Sequence, residues 1–231
     1  MFNFSRIAVG KDNKKVIFIL NGWKGKAWQI LPVARLLKLK GYNCVVYSYD
    51  NSILSPDIKL TRQNIIEVKN DVVRQVKLLH KQGKTKFIII GNSLGSIIGV
   101  LAANESQLIS KLILNSIGAD IAETIWTWDS VNDNFKKRLL RKQPVTLKEL
   151  KREWEMISPI YHLDKLKNKQ ILVYLSKKDE IIPYKQGMKI VNEFKKRKYD
   201  VVLKTNINLN HYISCGLNYH NIIGYLSFLK K

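Results

Sequence analysis

One stretch limits the possible folds more than any other: Lys86–Ala103, KFIIIGNSLGSIIGVLAA. Phe87 to Ile90 is aromatic and β-branched with no polar alternation, which predicts a strand buried on both faces of a parallel sheet. Gly91-Asn92-Ser93-Leu94-Gly95 follows with the spacing G-x-S-x-G, and the next residues are small and apolar, as in a packed helix. A serine on so sharp a strand-to-helix turn is held in a strained backbone conformation, and glycine two residues to either side relieves the crowding. The turn also places the hydroxyl at a helix N-terminus, whose free N–H groups favour negative charge. Ser93 therefore has two readings, a nucleophile on a strained elbow or a helix cap.

The same alternation runs through the chain. Lys15–Asn21 reads as a buried strand that ends in Asn21-Gly22-Trp23-Lys24-Gly25. A helix is expected from Ala27 to Lys40, or from near Pro32, because proline is poorly tolerated inside a helix; Gly41 stops it. Cys44–Tyr49 is a strand. Thr61 is then the expected N-cap of a long helix, with Ile65, Val68, Val72, Val73, Val76 and Leu79 along one stripe and Gly83 at its end. Leu112–Asn115 is another strand. This order predicts an α/β fold, a mostly parallel, doubly wound sheet with helices on both faces.

The alternation breaks over 119–163, where helices are expected at Ile121–Trp128, Asn134–Arg141 and Leu147–Ile157. Strands resume at Ile171–Leu175 and Val201–Lys204, on either side of a helix from Tyr184 to Lys196. His211 then falls in a polar loop, and a closing helix places Tyr219, Ile222, Ile223, Leu226 and Leu229 on one face. At 231 residues, without a repeat or linker, the chain reads as one domain, 1–231.

Bulk properties exclude several classes. A hydrophobic content of 45% argues against disorder, and two cysteines, Cys44 and Cys215, provide neither a disulfide framework nor a cysteine-based zinc site. No window suits a signal peptide or a membrane span, so a soluble, cytoplasmic protein is expected. Forty Lys and Arg against 18 Asp and Glu give a net charge of +22. The cations are scattered, which suits a solvated surface. They also suit an anionic partner, such as an acidic carrier protein or an anionic lipid surface, and Lys136–Lys142 (KKRLLRK) is the densest run. No nucleic-acid-binding motif is present.

A serine hydroxyl needs a base near neutral pH. Of the four histidines, His80 ends the long helix, His162 lies at the junction into a strand, and His220 falls off the apolar face of the last helix. His211 follows the last strand, at the sheet edge where strand C-termini gather and sites form, and is the favoured base. The backbone N–H of Leu94, the residue after the nucleophile, is one candidate donor to an oxyanion.

Taken together, NGW after a strand, GNSLG, KKDEIIP and an isolated late histidine resemble the α/β-hydrolase superfamily over nearly the whole chain. The resemblance implies a triad in the order Ser93, Asp179, His211, with Asp120 at a position that some members use instead of Asp179. It implies a second oxyanion donor at the N–H of Trp23, with Asn21 standing where the commoner motif has histidine. It further implies that 119–163 is a helical lid, and Trp126, Trp128 and Trp154 are expected either to line an acyl pocket or to pack the lid on the body. The activity so implied is hydrolysis of a small carboxylic ester or thioester through an acyl-enzyme, with no metal or cofactor. The alternatives are a thioesterase or acyltransferase acting on acyl-carrier-protein or coenzyme A thioesters, and a non-catalytic module that binds anionic membrane or nucleic acid.

Overall fold

The computed structural model describes residues 2–10, 12–127 and 135–230. Its centre is a seven-stranded sheet of β1 (Phe4–Val9), β2 (Lys15–Leu20), β3 (Asn43–Tyr49), β4 (Lys86–Asn92), β5 (Ile109–Asn115), β6 (Gln170–Ser176) and β7 (Asp200–Asn206). The spatial order is β1-β3-β2-β4-β5-β6-β7, and every pairing except β1 with β3 is parallel. The apolar runs behave as strands covered on both faces should. In β2, Val16, Phe18 and Leu20 enter one core while Ile17 and Ile19 enter the other; in β4, Phe87 and Ile89 oppose Ile88 and Ile90.

The helices are α1 (Ala27–Leu39), α2 (Ile58–Lys81), α3 (Leu94–Glu105), α4 (Ile121–Thr127), α5 (Phe135–Lys142), α6 (Leu147–Glu153), α7 (Tyr184–Lys196), α8 (His211–Tyr219) and α9 (Ile222–Lys230). Residues of α1, α8 and α9 close one face of the sheet, and those of α2, α3 and α7 close the other. Helix α3 is buried from Leu94 to Ala103, and its glycines allow the close approach. A Cβ on Gly95 would lie 2.1 Å from the carbonyl oxygen of Leu20, and one on Gly99 would lie 2.8 Å from Ile89 Cγ2.

The structure departs from the sequence reading at several points. β1, without an apolar run, is an antiparallel edge strand that the sequence reading omits. Pro32 lies within α1 instead of starting it; the carbonyl it leaves without a helical partner belongs to Trp28, on an exposed turn where water is at hand. The cap of α2 is Asp57, which accepts from the N–H of Leu60 at 3.1 Å. Thr61 is buried one turn further in, where its hydroxyl donates to Ser55 O at 2.7 Å.

Over the interval read as a lid, α6 ends at Glu153 and a short 3-10 turn carries the chain to Ile157. The closing helix is two helices, separated at His220 and Asn221. That break rotates the apolar face, so Ile223 is exposed while Tyr225 and Phe228 take the core positions.

Candidate active site

Ser93 stands between β4 and α3 with φ 51° and ψ −117°, a region that L-residues rarely adopt. It occupies the N-cap position, yet its side chain makes no capping hydrogen bond. The turn is pinned from both sides: Ser93 N–H donates to Asn115 O at 2.8 Å, and Ser96 Oγ donates to the same carbonyl at 2.9 Å. A Cβ on Gly91 would lie 2.5 Å from Ser96 Cα, so the spacing of the motif is set by backbone contact.

His211 is the first residue of α8, where a polar loop was expected. Asn210 caps this helix, its Oδ1 accepting from the N–H of Ile213 at 2.9 Å. The residue before the capping asparagine is tied to β6, because Ser176 Oγ donates to Leu209 O at 2.5 Å. His211 Nδ1 lies 2.8 and 2.9 Å from the two oxygens of Asp179. Asp179 Oδ1 also accepts from the N–H groups of Ile181 and Ile182, at 3.1 and 2.7 Å, so the carboxylate has little freedom to turn away. Both residues are buried. Burial alone would lower the histidine's pKa. That is the largest single effect, but the hydrogen bonds and charges of Asp179 and Cys215 together outweigh it, and the pKa is raised to about 10.

Ser93 and His211 line the same cleft, but among the described residues they make no mutual hydrogen bond. His211 Nε2 instead faces Cys215 Sγ, one turn along α8, at 3.7 Å. Base–nucleophile contacts are commonly loose before substrate binds. Leu94 opens α3 and Trp23 lies across from it, both in the cleft wall. The loop that carries Trp23 packs directly on the elbow, since a Cβ on Gly22 would be 3.3 Å from both Asn92 O and Ser93 Cβ. Asn21 anchors this loop. Its Nδ2 donates to Ser48 Oγ at 3.2 Å and its Oδ1 accepts from Tyr219 OH at 3.1 Å. One asparagine thus connects the loop to β3 and to the helix that begins with His211.

Two cavities meet at Ser93. The smaller, about 90 Å³, has mostly apolar walls from Leu54, Ile97, Ile121, Ile125, Ile181 and Ile182. The larger, about 550 Å³, is bounded by Asn21, Gln29, Asn92, Trp28 and Cys215 among others. The tryptophans expected around an acyl pocket lie elsewhere. Trp154 is fully buried under α2, its Nε1 donating to Ile58 O at 3.0 Å, and so serves the packing of the segment on the body. Trp126 packs against the main core with the Lys136 ammonium over its ring, outside both cavity walls. Trp128 lies outside the described residues. Isoleucines line the smaller cavity instead.

Asp120 is committed to α4, its Oδ1 accepting from the N–H groups of Ala122 and Glu123 at 2.9 and 3.1 Å. His80 faces the backbone carbonyl of Lys84 and packs edge-on against Phe87, and His162 faces the backbone carbonyl of Glu155. Glu180 accepts from the backbone N–H of His211 at 3.0 Å and so supports the first turn of α8. Among the described residues, no group of His, Cys, Asp or Glu is arranged to hold a metal ion, and no helix is long and apolar enough to cross a membrane.

The sequence profile of the prolyl oligopeptidase family matches residues 60–230. No curated protein sequence matches the chain. Among solved structures, it is similar to a puromycin-hydrolyzing peptidase of Mycobacterium tuberculosis (TM-score 0.71, 13% identity, 95% of this chain and 34% of that one). It is similar to the acylaminoacyl peptidase of Pyrococcus horikoshii (TM-score 0.71, 16% identity, 99% and 38%). An esterase of Pyrococcus furiosus matches over nearly its full length (TM-score 0.62, 15% identity, 99% and 91%). The chain spans little more than a third of the two peptidases, and at these identities the structures establish the fold alone. With the family profile covering most of the residues that build this sheet and cleft, the chain belongs to the prolyl oligopeptidase family, within the α/β-hydrolase superfamily.

Proposed function

We propose that the protein is a serine hydrolase that cleaves a small carboxylic ester or thioester through an acyl-enzyme. The observation that carries this reading is Ser93, strained and uncapped, opening on the same cleft as a histidine whose Nδ1 is held by both oxygens of Asp179. In the reaction, Ser93 Oγ attacks the acyl carbon as His211 Nε2 takes its proton. The Asp179 carboxylate stabilises the imidazolium, and the N–H groups of Leu94 and Trp23 bind the oxyanion. His211 then gives its proton to the leaving group, and water, activated by the same imidazole, releases the acid.

The small apolar cavity suits a short acyl group, and the larger, more open one suits the leaving group. The helical segment between β5 and β6, as a lid, supplies Ile121 and Ile125 to the acyl side. A second reading, peptide-bond cleavage by the same machinery, is favoured by the family match. A fluorophosphonate probe tests the common core: wild type should be labelled at Ser93, and Ser93→Ala should not. A folded wild type that resists the probe refutes the reading. Comparing p-nitrophenyl esters with acylated amino-acid p-nitroanilides then separates ester from amide cleavage.

A further inference from the structure

Helix α8 carries the proposed base on its inner side and an unpartnered face on its outer side. His211, Ser214, Cys215, Asn218 and Tyr219 point inward and are buried, whereas Tyr212, Ile213, Gly216, Leu217 and His220 point outward. The outward positions recur at the four-residue spacing of one helix face. Tyr212 is 67% exposed, Ile213 52% and Leu217 57%. In a chain with 58 charged side chains, counted as 40 basic plus 18 acidic, HYISCGLNY contains no Lys, Arg, Asp or Glu. Across the cleft, Trp28 is 70% exposed and bounds the same cavity as Tyr212, Gly216 and His220. Trp28 and Tyr212 therefore stand exposed at the larger cavity, and Ile213 and Leu217 continue the exposed apolar face along α8 beyond it.

The charges in the two cavity walls have one sign, and the carboxylate at the start of α8, Glu180, is engaged by the backbone N–H of His211. Lys24 lines both cavities, Lys26 follows it on the surface, and neither cavity wall contains a carboxylate. A second copy of the chain would bring two surfaces of net charge +22 together and is disfavoured. Tryptophan and tyrosine beside branched aliphatics, next to lysines, match the boundary of an anionic bilayer, where aromatic rings settle at headgroup depth and cations meet phosphate. The face is one convex helix next to a cleft, not a groove shaped for a peptide.

We infer that the outer face of α8, together with Trp28 and the lysines beside it, docks on an anionic lipid surface and sets the cleft mouth against it. Docking itself does not depend on chemistry at Ser93. Its consequence for substrate choice does rest on the serine-hydrolase reading: an ester or thioester held in the lipid would reach Ser93 without crossing bulk water.

The test uses the full chain carrying Ser93→Ala, so that binding is read apart from turnover. Co-sedimentation with vesicles of equal parts phosphatidylglycerol and phosphatidylcholine should exceed that with phosphatidylcholine alone, and should weaken several-fold between about 0.1 and about 0.5 M salt, as the Debye length falls from about 10 Å to about 4 Å. Ile213→Ser with Leu217→Ser, positions outside both cavity walls, should cut vesicle partitioning by about tenfold or more. In an otherwise wild-type chain the same pair should leave hydrolysis of a soluble short ester unchanged. Failure to bind anionic vesicles, or binding indifferent to the pair in a protein with unchanged circular dichroism, overturns the proposal. Self-association that the pair abolishes also overturns it, by showing that a second copy covers the face. Vesicle binding without fluorophosphonate labelling of the wild type would instead refute the hydrolase reading and leave the docking face standing.

Discussion

Replacing Ser93 with glycine should make the protein more stable, whereas replacing it with alanine should not. With φ 51° and ψ −117°, Ser93 occupies backbone space that costs a residue with a Cβ about 1–3 kcal/mol. Its hydroxyl has no hydrogen-bond partner among the described residues, so Ser93→Ala should change stability little. Ser93→Gly removes the strain but adds about 0.5–1 kcal/mol of conformational entropy to the unfolded chain. The difference leaves glycine about 1–2 kcal/mol more stable than alanine at this site. For a chain of this length each kcal/mol moves the melting temperature by about 2–4 °C, so the glycine variant should melt roughly 2–8 °C above the alanine variant. Calorimetry and urea denaturation of the three proteins measure this directly, and comparing glycine with alanine cancels the loss of the hydroxyl. Both variants should be inert to the fluorophosphonate. A glycine variant no more stable than the alanine variant would refute the claim that the fold holds Ser93 under strain.

Hydrolysis should rise with pH, because only neutral His211 can accept the serine proton and its pKa is raised to about 10. Asp179→Asn should move that limb to lower pH and cut kcat by orders of magnitude, measured as pH–rate profiles; an unmoved limb would sever the link to His211. The same raised pKa stabilises the fold fully below about 6.5 and loses its effect as pH climbs towards the folded value, so the variant should show a flatter stability–pH curve there. Gly95→Ala should cost about 3 kcal/mol or more, since its Cβ would meet backbone oxygens of Leu20 and Asn21 at 2.1 and 2.6 Å. Gly216→Ala, with nothing within 4 Å and a helical position on α8, should gain about 0.5–1 kcal/mol by urea denaturation. Tyr219→Phe removes the hydroxyl that donates to Asn21 Oδ1 and to Leu20 O; it should cost about 1–2 kcal/mol and lower kcat more than it raises KM, and unchanged kcat would exclude a role for Asn21 in placing the oxyanion loop.

The central strands were legible because burial on both faces leaves an unbroken apolar run in the middle of β2, β4 and β6. β1 was not, because an edge strand with one partner can be largely exposed, and FSRIAV has the composition of a loop. The start of α2 was missed by a turn for a related reason. Asp57 and Thr61 are both plausible caps in sequence, and only the tertiary bonds of Thr61 to Ser55 show that Thr61 is inside the helix. At the site, the nucleophile position was legible because its constraint is local, whereas the cavity walls were not. Ile181 and Ile182 line the smaller cavity because Asp179 accepts their N–H groups and so folds the loop over the cleft, a geometry that spacing along the chain does not encode.

The same difference explains why the surroundings of His211 were misread. A histidine in a run of asparagines reads as loop because Asn is a poor helix former, yet here Asn210 is spent on capping and Asn218 and Tyr219 on the inner face. Once α8 is a helix, one element serves three parts of the proposed machinery. Its first residue presents imidazole to the cleft, its third turn holds Asn21 through Tyr219, and its outer face forms the exposed apolar surface. Glu180 accepting the N–H of His211 and Asp179 accepting at Nδ1 belong to the same short turn after β6. The helix start and the imidazole are therefore fixed by adjacent carboxylates, and a shift in that turn moves both together. The pair Asp179-Glu180 thus has a requirement beyond the acid itself: Glu180→Ala should loosen α8 while leaving the Asp179 contact chemically possible, which would separate placement of the base from its activation.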